Sequence, residues 1–245
     1  MSGHSKWNNI AKRKGANDAK KAAIFTKIGR KMAVAIKEGG SNNPDNNAKL
    51  RDCIAEAKAN NVPNDNIKRM LDKGNQSNVS YESNTYEGYG PSGIAVICET
   101  LTDNRNRTVA DVRHYFDKYG AGLGNAGCVS WQFEQKGVLI IERGDLDEDE
   151  TMMTVLDAGA DDFQADEDCF QIYTAPEDFS AVRDALTEAG FEFAQAELQM
   201  VPQNTITLES QEDMAQMRKL LDSLEDNDDV QHVWHNWENE DDYEE

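Results

Sequence analysis

The sequence predicts a multidomain α and α+β protein, with an N-terminal all-helical domain followed by two ferredoxin-like α+β domains, one inserted in the other. Three observations support this class. Apolar residues recur with a helical period through the first 75 residues. A β-α-β-β-α-β order of segments fills the middle of the chain, and β-α-β halves flank it on both sides. The predicted domains are a basic helical domain at 1–75, a discontinuous α+β domain at 76–135 plus 202–245, and an inserted α+β domain at 136–201.

Three helices are predicted in the first domain. The first covers 18–37, because Asp18 suits an N-cap and Gly39-Gly40 supplies a left-handed residue at the end. Its apolar side chains form a stripe as wide as a core-facing helix needs. They are Ile24, Phe25, Ile28, Met32, Ala35 and Ile36. A second helix is predicted to start at Pro44 and a third near Asn64, and the three share one small core.

After residue 75 the apolar pattern alternates between strand and helix periods. A polar linker at 76–93 holds one edge strand at 85–87. The flanking halves are predicted as strand 94–101, helix 108–119 and strand 129–133, then strand 205–208, helix 213–224 and strand 230–236. The inserted unit is predicted as strand 137–142, helix 150–158, strands 162–165 and 169–174, helix 178–189 and strand 191–200.

Charge divides the chain into a basic head and an acidic body. The formal net charge is −21, but residues 1–75 hold 16 lysines and arginines against 7 acids, whereas residues 76–245 hold 9 against 39. A uniformly acidic surface repels phosphate, so nucleic-acid contact is predicted at the head. The acidic body is a candidate surface for a protein partner.

The basic head supplies the candidate nucleic-acid-binding residues. Lysine and arginine release counterions from a phosphate backbone, while Trp7 and His4 offer planar faces to unpaired bases. The candidates are His4, Ser5, Lys6, Trp7, Lys12, Arg13, Lys14, Lys20, Lys21, Lys27, Arg30 and Lys31. The alternative is that the lysine-rich helix face is only solvated. A helix-turn-helix is not favoured, since its second helix would offer only Lys68, Arg69 and Lys73.

Arg105 and Arg107 form a second candidate site for RNA, DNA or phosphate. They are two of nine cations after residue 75 and lie at a predicted helix start, with Asn106 or Thr108 as the N-cap. A helix N-terminus flanked by two arginines attracts anions. The simpler alternative is a capped helix start with no ligand.

Other motifs do not predict catalysis, a metal or a cofactor. The run from Gly122 to Gly127 fits GxGxxG, but it follows a helix and opens a strand, the reverse of a dinucleotide site. His232 and His235 fall on opposite faces of a strand, which disfavours a shared metal. The acidic runs lie in turns or at the tail, where water keeps their pKa values ordinary. We therefore predict no enzyme; the remaining alternative is an enzyme with a cleft between the α+β domains.

The chain is expected to be cytoplasmic and to have no membrane partner. No run approaches the roughly 20 apolar residues of a membrane span, and the start lacks the apolar core of a secretory signal. The four cysteines, Cys53, Cys98, Cys128 and Cys169, form no CxxC pair and are predicted to be reduced core residues.

Several motifs resemble the YebC-like family. The start, Gly3-His4-Ser5-Lys6-Trp7, is followed by Lys12-Arg13-Lys14, Asp18 and Phe25-Thr26-Lys27, and the similarity continues at 101–108 (LTDNRNRT) and 122–133. Such proteins are usually named probable transcriptional regulatory proteins, and a mitochondrial relative is the translational activator of cytochrome c oxidase. The resemblance implies three domains and a DNA-binding regulator of gene expression. The alternative that it implies is a ribosome-associated translation factor that contacts rRNA or tRNA, so DNA, structured RNA and the ribosome are the expected partners.

Overall fold

The chain folds into a helical part and α+β parts. The structure, a computed structural model, describes residues 18–76 and 79–243. Within these residues lie seven α-helices, a three-stranded sheet and a four-stranded sheet. The multidomain α and α+β class predicted from the sequence is confirmed.

Three helices make up the described part of the basic head. They are α1 (Asp18–Gly39), α2 (Ala48–Ala59) and α3 (Asn64–Gln76). The turn after α1 contains Gly40 at φ 64°, a conformation that glycine adopts without strain. The predicted helix start at Pro44 is wrong, because Pro44–Asn46 forms a separate 3-10 turn. Asn47 then caps α2: its side-chain oxygen accepts a hydrogen bond from the Leu50 amide at 3.1 Å.

The three helices share one apolar core, as their period predicts. Its buried members are Ile28, Met32, Ala35, Ile36, Leu50, Ala57, Val62 and Ile67. Helices α1 and α3 pack closely at Gly74, where an added Cβ would lie 2.8 Å from Ile36 Cδ1 and 3.3 Å from Ala33 Cα. The glycine therefore lets the two basic helices pack side by side.

A three-stranded antiparallel sheet follows. Its strands are β1 (Glu82–Tyr89), β2 (Ala95–Thr102) and β7 (Val230–His235), in the order β1-β2-β7. Helices α4 (Arg105–Tyr119) and α7 (Gln211–Glu225) pack against it. Their core is built from alternate β2 residues, Val96 and Cys98, together with Phe116, Met217 and Trp237.

Two predicted strands are absent from this sheet. Residues 129–132 do not form the predicted strand: Ser130–Gln132 is a 3-10 turn, because the amides of Val129 and Ser130 bond to the Glu87 carboxylate rather than to a neighbouring strand. Residues 205–208 make one isolated bridge, between Ile206 and Trp237. The two β-α-β halves predicted for this domain thus form a sheet of three strands in the structure.

The inserted unit has the predicted β-α-β-β-α-β order. It comprises β3 (Phe133–Glu142), α5 (Glu148–Asp157), β4 (Asp162–Ala165), β5 (Cys169–Thr174), α6 (Phe179–Glu188) and β6 (Gln195–Pro202). The sheet order β4-β5-β3-β6, with antiparallel neighbours throughout, is the ferredoxin-like arrangement. Leu139 and Ile141 of β3 pack with Val155 of α5 and Val182 and Leu186 of α6 in one core.

The described chain separates into two compact units, 133–203 and 18–132 with 204–243. The first is inserted in the second, so the second unit is discontinuous in sequence. The finer division into three domains, with boundaries after 75, 135 and 201, stays a prediction. Among the described residues no helix is both long enough and apolar enough to cross a membrane.

Candidate nucleic-acid interface

Helix α1 turns three of its predicted nucleic-acid contacts toward the acidic part of its own unit. Lys27 Nζ donates to the Glu225 carbonyl at 2.6 Å. Arg30 donates to the Asp228 carbonyl and to the Asp229 carboxylate, both at 2.7 Å. Such short charge-assisted bonds hold a helix in place. The face of α1 that carries Lys27 and Arg30 therefore positions the helix.

Lys31 makes a similar bridge. Its Nζ lies 2.8 Å from Glu56 Oε1 of α2 and 2.9 Å from His232 Nε2 of β7. The His232 ring stacks on Trp234, with ring centroids 5.2 Å apart and planes 7° from parallel. Lys31 thus joins the helical core to the sheet.

Asp229, at the start of β7, is the centre of this contact. Its side chain is only 4% exposed and accepts from Arg30 Nη1 and Arg107 Nη2, both at 2.7 Å. The hydroxyls of Thr102 and Thr108 also donate to it, at 3.2 and 2.8 Å. Burial by itself raises the pKa of Asp229, but the hydrogen bonds from Arg107, Thr108 and Arg30 outweigh burial and hold the pKa below its usual value.

The second candidate site lies at the N-terminus of α4. The cap is Asn104, whose Oδ1 accepts from the Arg107 amide at 3.2 Å, so the predicted caps Asn106 and Thr108 are wrong. Thr108 lies inside the helix, where its hydroxyl faces Asp229. Arg107 binds Asp229 but keeps a half-exposed side chain, and Arg105 is exposed. Both arginines thus reach the surface next to a capped helix start.

Helices α1 and α3, which pack against each other, both keep exposed cations. On α1 they are Lys21 and Lys37. On α3 they are Lys68, Arg69 and Lys73, which are not among the predicted nucleic-acid contacts. Their helical spacing beside the apolar residues Ile67, Met70 and Leu71 is the signal that marks them as the outer face of α3.

The remaining candidates of the head lie outside the described residues. They are His4, Ser5, Lys6, Trp7, Lys12, Arg13 and Lys14, together with the side chain of Lys20. The predicted cap by the Asp18 side chain lies outside them as well. Contact of these residues with nucleic acid stays a prediction.

The glycine-rich run at 122–127 belongs to a loop fixed by Glu87. The buried Glu87 carboxylate accepts from the amides of Gly127, Val129 and Ser130 at 2.8, 2.9 and 2.8 Å. Burial raises the pKa of Glu87, but these three bonds outweigh it and lower the pKa overall. The loop follows α4 and leads into β3, as expected for a run that is not a dinucleotide site.

The histidines and cysteines lie in separate surroundings. His232 meets Lys31, whereas the partly buried His235 has Nε2 3.9 Å from a Glu240 oxygen. In the described ranges no three His, Cys, Asp or Glu side chains are grouped to hold a metal. Burial raises the pKa of the Cys53 and Cys98 thiols to about 12, which keeps both protonated at neutral pH.

Fold and charge together define a multidomain α and α+β protein with a basic helical head on an acidic body. Its sequence matches the pattern of the TACO1/YebC protein N-terminal domain at residues 5–77 and that of the TACO1/YebC second and third domain at 81–237. The chain belongs to the TACO1/YebC family. The YebC-like resemblance seen in its motifs is therefore confirmed.

Relatives with assigned names are close in sequence. A protein from Ruminiclostridium cellulolyticum is 54% identical over 228 residues, and one from Clostridium tetani is 56% identical over 228 residues; each match covers 92% of both chains. Both are named "Probable transcriptional regulatory protein". The crystal structure of a conserved hypothetical protein from Aquifex aeolicus matches with a TM-score of 0.81 and 38% identity, over 90% of this chain and 91% of that one. The family is thus a regulatory one.

Proposed function

We propose that this protein is a non-catalytic, nucleic-acid-binding regulator of gene expression, most simply a DNA-binding transcriptional regulator. The observation that carries the proposal is the separation of charge: a head at +9 joined to a body at −30. Phosphate backbones bind basic surfaces through counterion release and are repelled by acidic ones. Phosphate contact is therefore expected mainly at the head, and the regulatory names of the relatives support the same role.

Within the head, the cations divide by role. Lys27, Arg30 and Lys31 anchor α1 through contacts with carboxylates and carbonyls of the same unit. The exposed side chains of Lys21, Lys37 and the three α3 cations, with Lys6, Lys12, Arg13 and Lys14, make up the proposed interface. Anchoring α1 presents the exposed Lys21 and Lys37 of that helix in one orientation, which lowers the entropy cost of binding.

A translation factor that binds the ribosome, through rRNA or tRNA, is a second candidate. The charge of the body favours it: 39 acids in residues 76–245 would lie unfavourably along a duplex that carries two phosphate backbones. A compact folded RNA can contact the basic head without extending along the acidic body. This candidate uses the same basic residues, so the two differ in target and not in interface.

The experiment compares wild type with the triple reversal Lys12→Glu, Arg13→Glu, Lys14→Glu on duplex DNA, structured RNA and ribosomes. Wild-type affinity should fall by orders of magnitude between about 50 and 200 mM salt, and the reversal should abolish binding. Arg113→Glu, a single exposed reversal on α4, is the control and should bind as wild type. Melting temperatures should agree, because the three reversed side chains belong to no predicted core.

The target decides between the two candidates. Sequence-dependent binding to duplex DNA alone would support the transcriptional regulator and exclude the translation factor. Co-sedimentation with ribosomes would support the translation factor. Salt-insensitive binding, or a triple reversal that binds like wild type, would contradict the proposed function itself.

A further inference from the structure

Trp131 is the most solvent-exposed of the tryptophans in the described residues. Its side chain is 69% exposed, the highest value among the exposed large hydrophobic residues of the described chain. Trp237 is 1% exposed, and Trp234 stacks on His232. An indole left in water is a strong candidate for contact with a ligand, since tryptophan gains more than most side chains from burial.

The indole is held in a fixed orientation. Its Nε1 donates to the Cys128 carbonyl at 3.0 Å, and the Tyr89 hydroxyl donates to the same oxygen, also at 3.0 Å. The three amide bonds to Glu87 fix the backbone on both sides of Cys128. One edge of the ring is thus tied down while the ring stays open to solvent, so a ligand would lose little entropy in meeting it.

The loop itself carries no charged side chain, and the Glu87 carboxylate beneath it is occupied by three backbone amides. Residues 119–133 hold no Lys, Arg, Asp or Glu. At the start of this run Lys118 and Lys219 both approach Tyr119 and help to lower the pKa of its hydroxyl. Gly124, Ala126 and Gly127 are exposed and small, which leaves room for a strand to come close.

We infer that Trp131 is a base-stacking platform: an unpaired nucleobase of the bound nucleic acid packs on its indole, and the loop at 121–131 is a second contact surface apart from the basic head. The inference rests on the proposed function, because it deepens how that nucleic acid is held. It favours targets with unpaired bases, since a duplex keeps its bases stacked on one another.

The test uses the full chain and single-stranded oligouridine and oligoadenosine of about 12 nucleotides, within the site sizes of single-strand-binding proteins. Trp131→Ala should weaken binding about tenfold, as loss of a stacking aromatic does, and Trp131→Phe should recover most of it. Met153→Ala, which trims a 64% exposed side chain on α5, is the matched control and should bind as wild type. The slope of affinity against salt should not change, because no phosphate contact is lost.

Fluorescence reports the contact directly. In a Trp7→Phe background, oligonucleotide should quench the indole emission, and adding Trp131→Phe should remove that quenching. The Phe variant keeps an aromatic ring, so it also guards against a fold defect in Trp131→Ala.

The outcomes separate this inference from the proposed function. If Trp131→Ala binds the oligonucleotides as tightly as wild type, and the Trp131 indole is quenched no more than a buried one, while salt-dependent binding persists, then the platform is wrong and the proposed function stands. Loss of binding to a protein partner with unchanged oligonucleotide affinity would also overturn the platform, in favour of a protein surface. If the wild-type protein shows no salt-dependent binding to nucleic acid, both the platform and the proposed function are wrong.

Discussion

Asp229 changes the role assigned to two arginines. In the sequence, Arg30 and Arg107 are cations suited to phosphate. In the structure both bond to Asp229, which lies 199 and 122 residues further along the chain. A buried carboxylate without such partners would be costly, because water no longer solvates it. The two arginines therefore serve the fold.

Replacing Asp229 with asparagine should be strongly destabilising. Asp229→Asn removes the charge and one acceptor while leaving Arg30 and Arg107 in place, and we expect a loss of about 3 kcal/mol in the free energy of unfolding. Urea denaturation measures it. Asp228→Asn is the matched control, because the exposed Asp228 uses its backbone carbonyl and not its side chain to meet Arg30. Equal stability of the two variants would contradict the role given to Asp229.

The same carboxylate should give the protein an acid-dependent stability. Its folded-state pKa is lowered, so the ionised form stabilises the fold above the unfolded pKa, about 3.9, and the benefit is lost as pH falls through the lower folded pKa. The stability gap between wild type and Asp229→Asn should be full at neutral pH and shrink below about pH 4. Denaturation series at several pH values test this, and a gap that stays constant into strong acid would refute it.

At the scale of elements, periodicity located the helices and strands, and long-range bonds set their limits. Strands β4 and β5 have the predicted bounds, and α1 extends two residues past its predicted end. The predicted strand at 129–133 failed because Glu87, more than 40 residues earlier, binds its amides. A local pattern contains no trace of such a partner.

The packing around strand β3 requires glycine at position 137, because no space is left for a side chain. A Cβ there would lie 2.7 Å from Phe179 Cδ2 and 2.9 Å from Phe179 Cβ, and would also press on Thr174 Oγ1. Gly137→Ala should therefore cost about 2 kcal/mol through overpacking. Thermal denaturation measures it.

The Phe179→Leu background provides the control for that substitution. Removing the ring should reduce the cost of Gly137→Ala, which a double-mutant cycle detects as coupling. Additive effects would show that Phe179 is not the obstacle.

At the scale of the whole molecule, the inserted unit is closed on itself. Its first strand residue, Phe133, pairs with Pro202 at the end of β6, so the chain enters and leaves at neighbouring positions. Insertions with adjacent ends are well tolerated, because they barely disturb the host. The unit also has its own apolar core between β3, β5, α5 and α6.

We expect a fragment of residues 133–203 to fold independently and not to bind nucleic acid. It holds 19 acids and 3 cations, so phosphate should be repelled. Circular dichroism should show a cooperative thermal transition, and the oligonucleotide and duplex assays should show no binding. The complementary chain, with Gln132 joined to Asn204 by a short flexible linker, should keep the binding of the full protein. Binding by the fragment would contradict the confinement of contact to the head and the loop at 121–131.

Residue patterns along the chain were enough to predict the fold class, the order of the inserted unit and the division of charge, because apolar period and net charge are properties of neighbouring residues. The sequence also provided the motifs that mark the family. Only the folded chain shows which cations anchor α1 and which stay exposed, and that Glu87 holds the backbone next to the exposed Trp131. Arg30 and the loop before Trp131 each depend on one buried carboxylate, reached across 199 residues at Asp229 and 40 residues at Glu87, and a contact over that distance leaves no periodic signature in the chain.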